Sequence, residues 1–295
     1  MVFADTGKER RRSNLSTFFC CTLIKPNINN QNNMIMNPTP IQIKMNTNHV
    51  YNQLIPIITA EWANYQKVKG MTCVVNDAIP ILWFGDIASY VKSEKRIVTV
   101  GLNPSNNEFE DGTKRGVDVR FPKALPLVGK SILTTTDISL YRDALNEYFC
   151  VNPYTKWFNQ YERILNRLNA SYFVNNCSRT AIHIDACSSI ATDPTWGGLC
   201  LKSKMLLQSN NSFIPLMNAL NPDIVLISAN KQIVESYFGK NGWTDYNPGN
   251  TAYVRTKVHD NRIIIWGYNN HGTPFGILKC NLNKIFINIR TQYNI

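Results

Sequence analysis

Gly101-Leu102-Asn103-Pro104-Ser105 closes a β-branched run that begins at Ile97. Such a run reads as a buried strand. Asn103 then stands at its carboxyl end, where open α/β sheets bind ligands. Its amide has a donor side and an acceptor side, enough to hold a water in a set orientation; the alternative is an Asn that bonds its own turn. Pro104 or Ser105 suits the first turn of a helix, whose free N–H groups attract anions. A strand, an amide at its tip and an anion-seeking turn suit hydrolysis on a phosphate-bearing polymer. Glu108 and Asp118 follow closely, as candidate bases or as ordinary surface and capping carboxylates.

Three other stretches carry candidate chemistry. In His183-Ile184-Asp185, which ends a second strand-like run, a period of two puts His183 and Asp185 on one face; the alternative is an Asp185 that caps the loop that follows. Phe121 sits among Arg115, Arg120 and Lys123, basic residues able to meet phosphates. Near the end stands Asn270-His271-Gly272-Thr273-Pro274-Phe275, where Gly272 and Thr273 fit a close approach to phosphate. Trp196, in a turn-rich loop after Asp185, is either pocket rim or packed core. Four histidines without the Cys or carboxylate spacing of a metal site disfavour zinc. Eight cysteines without C-x-x-C spacing read as reduced, mostly buried thiols. No metal and no cofactor is expected.

Gly-Leu-Asn-Pro-Ser at 101–105 resembles the first active-site motif of the uracil-DNA glycosylase superfamily, nearest its mismatch-specific and single-strand-selective branches, which carry Gly-x-Asn-Pro. Asn270 to Phe275 is similar to the family's His-Pro-Ser-Pro loop, with Gly272 replacing the first proline and Thr273 the serine. The motifs occur in the family's order, each after a strand-like run. The likeness spans roughly residues 75 to 290 as a pattern of elements, with detailed matches confined to short stretches.

That resemblance implies a set of roles. Asn103 positions the attacking water, and orientation suffices because an oxocarbenium-like sugar needs little nucleophilic push. Phe121 lies where family members stack an aromatic ring on the flipped base, or else it is core. Asp185 stands where the uracil enzymes carry an Asn that reads the base edge, with His183 beside it. A carboxylate only accepts hydrogen bonds, so it opposes the C4 carbonyl of uracil and suits the N4 amine of cytosine. A protonated Asp185 would instead donate to N3. His271 stabilises the departing base through O2. Ser105, Arg120, Gly272 and Thr273 face the DNA backbone, and Phe275 is the wedge filling the gap left by the flipped nucleotide. Some family members hold an iron–sulfur cluster, which the scattered cysteines here do not suit. No lysine stands in either motif to form a Schiff base, so water is the expected attacker.

The bulk properties agree with a nucleic-acid partner without requiring one. The chain has 295 residues, 44% of them hydrophobic, and a net charge of +11, with a pI near 9.3. A sizeable core is possible, and an anionic partner, DNA first, is favoured. Residues 1–45 are Asn-rich and basic. Lys8, Arg10, Arg11, Arg12, Lys25 and Lys44 against Asp5 and Glu9 give +4, which leaves the body about +7. This tail is expected to be disordered, with residues 46–295 forming the catalytic domain. No apolar run of 18 residues exists, so no membrane span is expected, nor is a signal peptide. A cytoplasmic monomer is the expectation.

Strand-like runs at 81–84, 96–102, 180–186, 223–228 and 262–267 alternate with helical stretches near 50–68, 138–149, 156–170, 200–220 and 230–238. This pattern predicts an α/β fold, three layers α/β/α around a mostly parallel sheet. The expected function is a monofunctional DNA glycosylase acting on a pyrimidine, with a modified cytosine favoured and antiviral defence as its setting. The alternatives are a uracil or thymine repair glycosylase, a nucleic-acid-binding protein of this fold without catalysis, and an unrelated hydrolase of a small phosphorylated ligand.

Overall fold

The computed structural model describes residues 45–174, 176–248, 251–269, 272–276 and 279–295. The expected tail therefore lies outside the described residues, apart from Met45. The strands are β1 (Ile97–Gly101), β2 (Ala170–Ser171), β3 (Arg179–Asp185), β4 (Ile224–Ile227), β5 (Thr244–Asp245), β6 (Val254–His259) and β7 (Arg262–Gly267). They form one sheet in the order β2-β3-β1-β4-β7-β6-β5. All pairs from β2 to β7 are parallel, and β6 and β5 add an antiparallel edge. Every residue of β1 and of β4 is buried, as expected for strands covered on both faces. The β6–β7 hairpin turns through Asp260 and Asn261, both left-handed, with φ of 49° and 60°. Two such residues suit the turn type that joins twisted strands tightly. Both outermost strands, β2 and β5, are two residues long.

Helices cover both faces, giving the three-layer α/β/α arrangement. They are α1 (Thr47–Val68), α2 (Ile87–Lys92), α3 (Thr135–Asn146), α4 (Tyr148–Val151), α5 (Thr155–Leu165), α6 (Leu201–Leu207), α7 (Phe213–Leu220), α8 (Lys231–Phe238) and α9 (Lys279–Tyr293). In α1 the buried Val50, Leu54, Ile58, Trp62 and Tyr65 recur at helical spacing, and Asn46 caps its first turn. Thr134 and Asp137 form a reciprocal capping box on α3. Some expected elements differ. The stretch 200–220 divides into α6 and α7 around Ser209-Asn210-Asn211. Residues 81–84 make no strand, only a bridge from Phe84 to His183. After Pro104 the chain forms a short 3₁₀ turn, Asn106–Phe109, in place of an α-helix. The helices α2 and α9 and the strands β2, β5 and β6 were not anticipated.

Between β7 and α9 the chain is anchored by Phe275, fully buried with φ of 51°. Its ring packs near Tyr161 of α5 and Phe286 of α9. It also lies directly on Gly267, where a Cβ would stand 2.1 Å from Phe275 Cδ1. Its N–H donates to Ser228 Oγ, and its carbonyl accepts from Arg163. The expectation that Phe275 is a wedge is thereby corrected, because a ring enclosed in the core cannot enter a base stack. Phe275→Ala should cost about 3–5 kcal/mol of stability, read as a lowered urea midpoint. An unchanged midpoint would contradict the anchoring role.

Candidate active site

A cleft of about 750 Å³ opens where β1, β3, β4 and β7 end. Its lining takes Gly101 to Ser105 from the end of β1, His183 and Asp185 from β3, Ser228 to Lys231 after β4, and Tyr268 and Asn269 after β7. From β1 the chain crosses to the edge at β2, steps back to β3 beside β1, and then places β4 on β1's other side. Such a reversal leaves a crevice at the carboxyl ends of the strands. The aromatic walls are Phe84, Tyr154, Trp157, Phe158, Trp196 and Tyr253.

Asn103 is held so that only one end of its amide faces the cleft. Nδ2 donates to the carbonyls of Pro104 at 2.8 Å and Ile190 at 3.3 Å, and to Thr192 Oγ1 at 2.9 Å. The Thr192 hydroxyl proton is already donated to Pro194 O, so Thr192 can only accept from Asn103. Three acceptors around one atom fix which end is nitrogen. Oδ1 has no hydrogen-bond partner among the described residues and is not sealed from the cleft. It presents an acceptor in a set direction.

Asp185 and His183 meet the end of β1 through Gly101. Gly101 pairs with Asp185 across the β1–β3 ladder, and Thr99 pairs with His183. A Cβ on residue 101 would lie 2.3 Å from Asp185 Oδ1 and 2.8 Å from His183 Nε2, so only glycine leaves room for both side chains. His183 is sealed among Phe84, Phe158 and Tyr161. Its Nδ1 lies 2.7 Å from Thr99 Oγ1, which lies 2.5 Å from the Tyr172 hydroxyl. The other ring nitrogen, Nε2, lies 3.5 Å from Asp185 Oδ1.

Glu108 completes the polar lining. It is 4% exposed, yet it faces the cleft. Tyr154 N–H donates to the Tyr148 hydroxyl, and Tyr148 in turn donates to Glu108 Oε2. Burial pushes the Glu108 carboxyl up to about 8, against the opposing pull of the Tyr148 hydrogen bond and Arg120, while Asp185 adds a smaller upward push. A group so placed is a neutral acid near pH 7, able to donate where other carboxylates only accept.

Asn103, Ser105, His183, Asp185 and Gly272 thus share one cleft. Ser105 is half-buried and bridges to Thr192. Gly272 is exposed, with φ of 81° and its N–H bonded to Asn269 Oδ1. Thr273 is half-buried and is not part of the lining. His271 lies outside the described residues. Two expectations are corrected. Phe121 is fully buried behind the cleft, stacked on Tyr148 with centroids 5.3 Å apart; it supports the tyrosine that holds Glu108 and cannot touch a base. Arg120 is also buried, and its guanidinium donates to the carbonyls of Asn107, Glu110 and Asn152. Those bonds staple down the turn bearing Glu108, so Arg120 does not meet phosphates. Trp196 is both packed core and cleft wall. The wall aromatics Tyr154, Trp157, Phe158, Tyr253 and Tyr268 were missed, since nothing local in the sequence marks them as facing one space.

No protein-family model matches the chain, and no curated protein sequence matches it either.

The buried carboxyl should leave a mark on stability. From about pH 5 to about pH 8 the unfolded chain carries Glu108 ionised, while the folded chain keeps it protonated. Folding then takes up a proton, and stability falls as pH rises by up to about 1.4 kcal/mol per unit from this group. Above about 8 the loss is complete and the dependence ends. Glu108→Gln should remove this component. Its unfolding free energy relative to wild type should climb from pH 5 to pH 8 and then level off; a constant difference would show that Glu108 is ionised in the fold.

Proposed function

We propose that this chain is a monofunctional DNA glycosylase that hydrolyses the N-glycosidic bond of a flipped pyrimidine and leaves an abasic site. The observation that carries this reading is Asn103: an amide locked by three acceptors, with Oδ1 alone facing an aromatic-walled cleft at the strand ends. Oδ1 accepts a hydrogen bond from the attacking water and turns the water's lone pair towards C1′. Little more is needed of the nucleophile when the sugar already carries most of the charge. The resemblance of residues 101–105 and 270–275 to the uracil-DNA glycosylase superfamily supports the same reading.

The other residues divide the remaining work. Tyr154, half-buried and lining the cleft, takes the stacking role expected of Phe121, and such stacking contributes about 1–3 kcal/mol per base. Asp185, steadied by His183, accepts from the exocyclic amine of a cytosine-type base. A modified cytosine is therefore the preferred substrate, and antiviral defence a setting in which such bases occur. His271 keeps the role the resemblance gives it, at the departing base. Ser105, Gly272 and Lys231, at the cleft's edge, meet the DNA backbone, and the body's net positive charge draws the polymer in. Among the described residues no helix is long and apolar enough to cross a membrane. A monomer acting on DNA in the cytoplasm completes the proposal.

Single-turnover base release from oligonucleotides carrying uracil, thymine, cytosine and modified cytosines, scored by cleavage at the abasic site, tests it. Asn103→Ala should keep fold and DNA affinity but lose most base release, and a wild-type rate would remove Asn103 from the mechanism. Asp185→Asn should shift the rate ratio from cytosine-type bases towards uracil, by about 1–3 kcal/mol of discrimination. A ratio that does not move would mean that Asp185 does not read the base.

A further inference from the structure

Resting on the glycosylase reading, we propose that Glu108 is a catalytic acid that protonates the departing base from Oε1. The geometry singles out that oxygen. The Tyr148 hydroxyl accepts from Tyr154 N–H and donates its only proton to Oε2, so Oε2 serves as an acceptor. The proton of the neutral carboxyl therefore resides on Oε1. That atom has no hydrogen-bond partner among the described residues and is not sealed off, and Glu108 lines the cleft, so its donor is free for a ligand there. Groups facing Glu108 come from several elements: Tyr148 of α4, Tyr154 before α5, Arg120, and Asp185 of β3 with His183 beside it. Burial outweighs the two influences favouring ionisation, and the acid stays loaded at neutral pH.

The step balances as follows. The C1′–N1 bond breaks and its electron pair leaves with the pyrimidine. The Glu108 Oε1 proton passes to the O2–N3 edge of that base, which departs neutral. The water held at Asn103 Oδ1 adds to C1′ and releases its proton to solvent. Glu108, now a carboxylate, regains a proton from solvent. An acid is most useful for a poor leaving group, and cytosine-type bases are poorer than uracil. The same cleft that offers Asp185 to the cytosine amine also supplies the proton that cytosine needs to depart.

The test compares wild type and Glu108→Gln in single-turnover base release, using matched oligonucleotides that carry 5-fluorouracil, uracil or cytosine-type bases. The amide can hydrogen-bond but cannot transfer a proton. The variant should lose about 10²–10⁴-fold on the poorest leaving group and little on 5-fluorouracil. Wild type should lose about tenfold per pH unit above about pH 8, whereas the variant should be flat there. The wild-type pH profile needs no folded variant. Equal losses on all three bases would reveal a merely structural Glu108 and overturn the inference, as would an unchanged variant. Wild type inert on every oligonucleotide would overturn the glycosylase reading itself, and this inference with it.

Discussion

The absence of a side chain at residue 101 is the constraint on which the site depends. Parallel neighbours in a sheet bring residues of equal register side by side, and at the last position of the β1–β3 ladder these are Gly101 and Asp185. Any Cβ there would stand 2.3 Å from the carboxylate oxygen, a steric overlap. With only hydrogen present, Asp185 and His183 lean over the end of β1 and stand in the same cleft as Asn103. The sealed chain from Tyr172 through Thr99 to His183 lies behind them. A buried polar network of this kind is favourable only when its members are satisfied, and here each has its partner. The position of Asp185 is thus set by the strands more than by the loops.

Glu108 is positioned in the opposite way, by a turn pinned from outside. Arg120 binds three carbonyls around it, and Phe121 backs the tyrosine that holds its carboxyl. Burying a carboxyl is unfavourable on its own. Functional sites commonly hold such unfavourable groups, and the surrounding fold offsets them. The residues that looked like ligand contacts in the sequence are the offset: Arg120 and Phe121 carry no ligand but keep Glu108 where it is.

How far the fold could be read follows from which elements are covered on both sides. The runs at β1, β4 and β7 are mostly apolar and β3 has an apolar stretch at its middle because helices lie above and below them, and their bounds were legible within a residue or two. The two-residue strands β2 and β5 have no pattern to read. In α9 the buried Leu282, Ile285, Phe286 and Ile289 do follow helical spacing, a signal that was present and passed over. In the site, Asn103, His183 and Asp185 were legible because strand ends face a crevice by construction. Phe121, Arg120 and Phe275 were misread because a loop residue's exposure is decided by distant packing, as when Phe275 meets Gly267. Glu108 was set aside as a surface carboxylate, since only Tyr148 and the closing loops bury it.

The shortness of β2 and β5 reaches beyond this one molecule. A sheet grows by offering a neighbouring chain a row of free N–H and C=O groups along its border. Here each border strand spans two residues, too few for a second copy to pair in register. The apolar strands between them are thus shielded from pairing with another chain. Whatever this protein associates with must come to the loops at the strand tips or to the helices, not to the borders of its sheet.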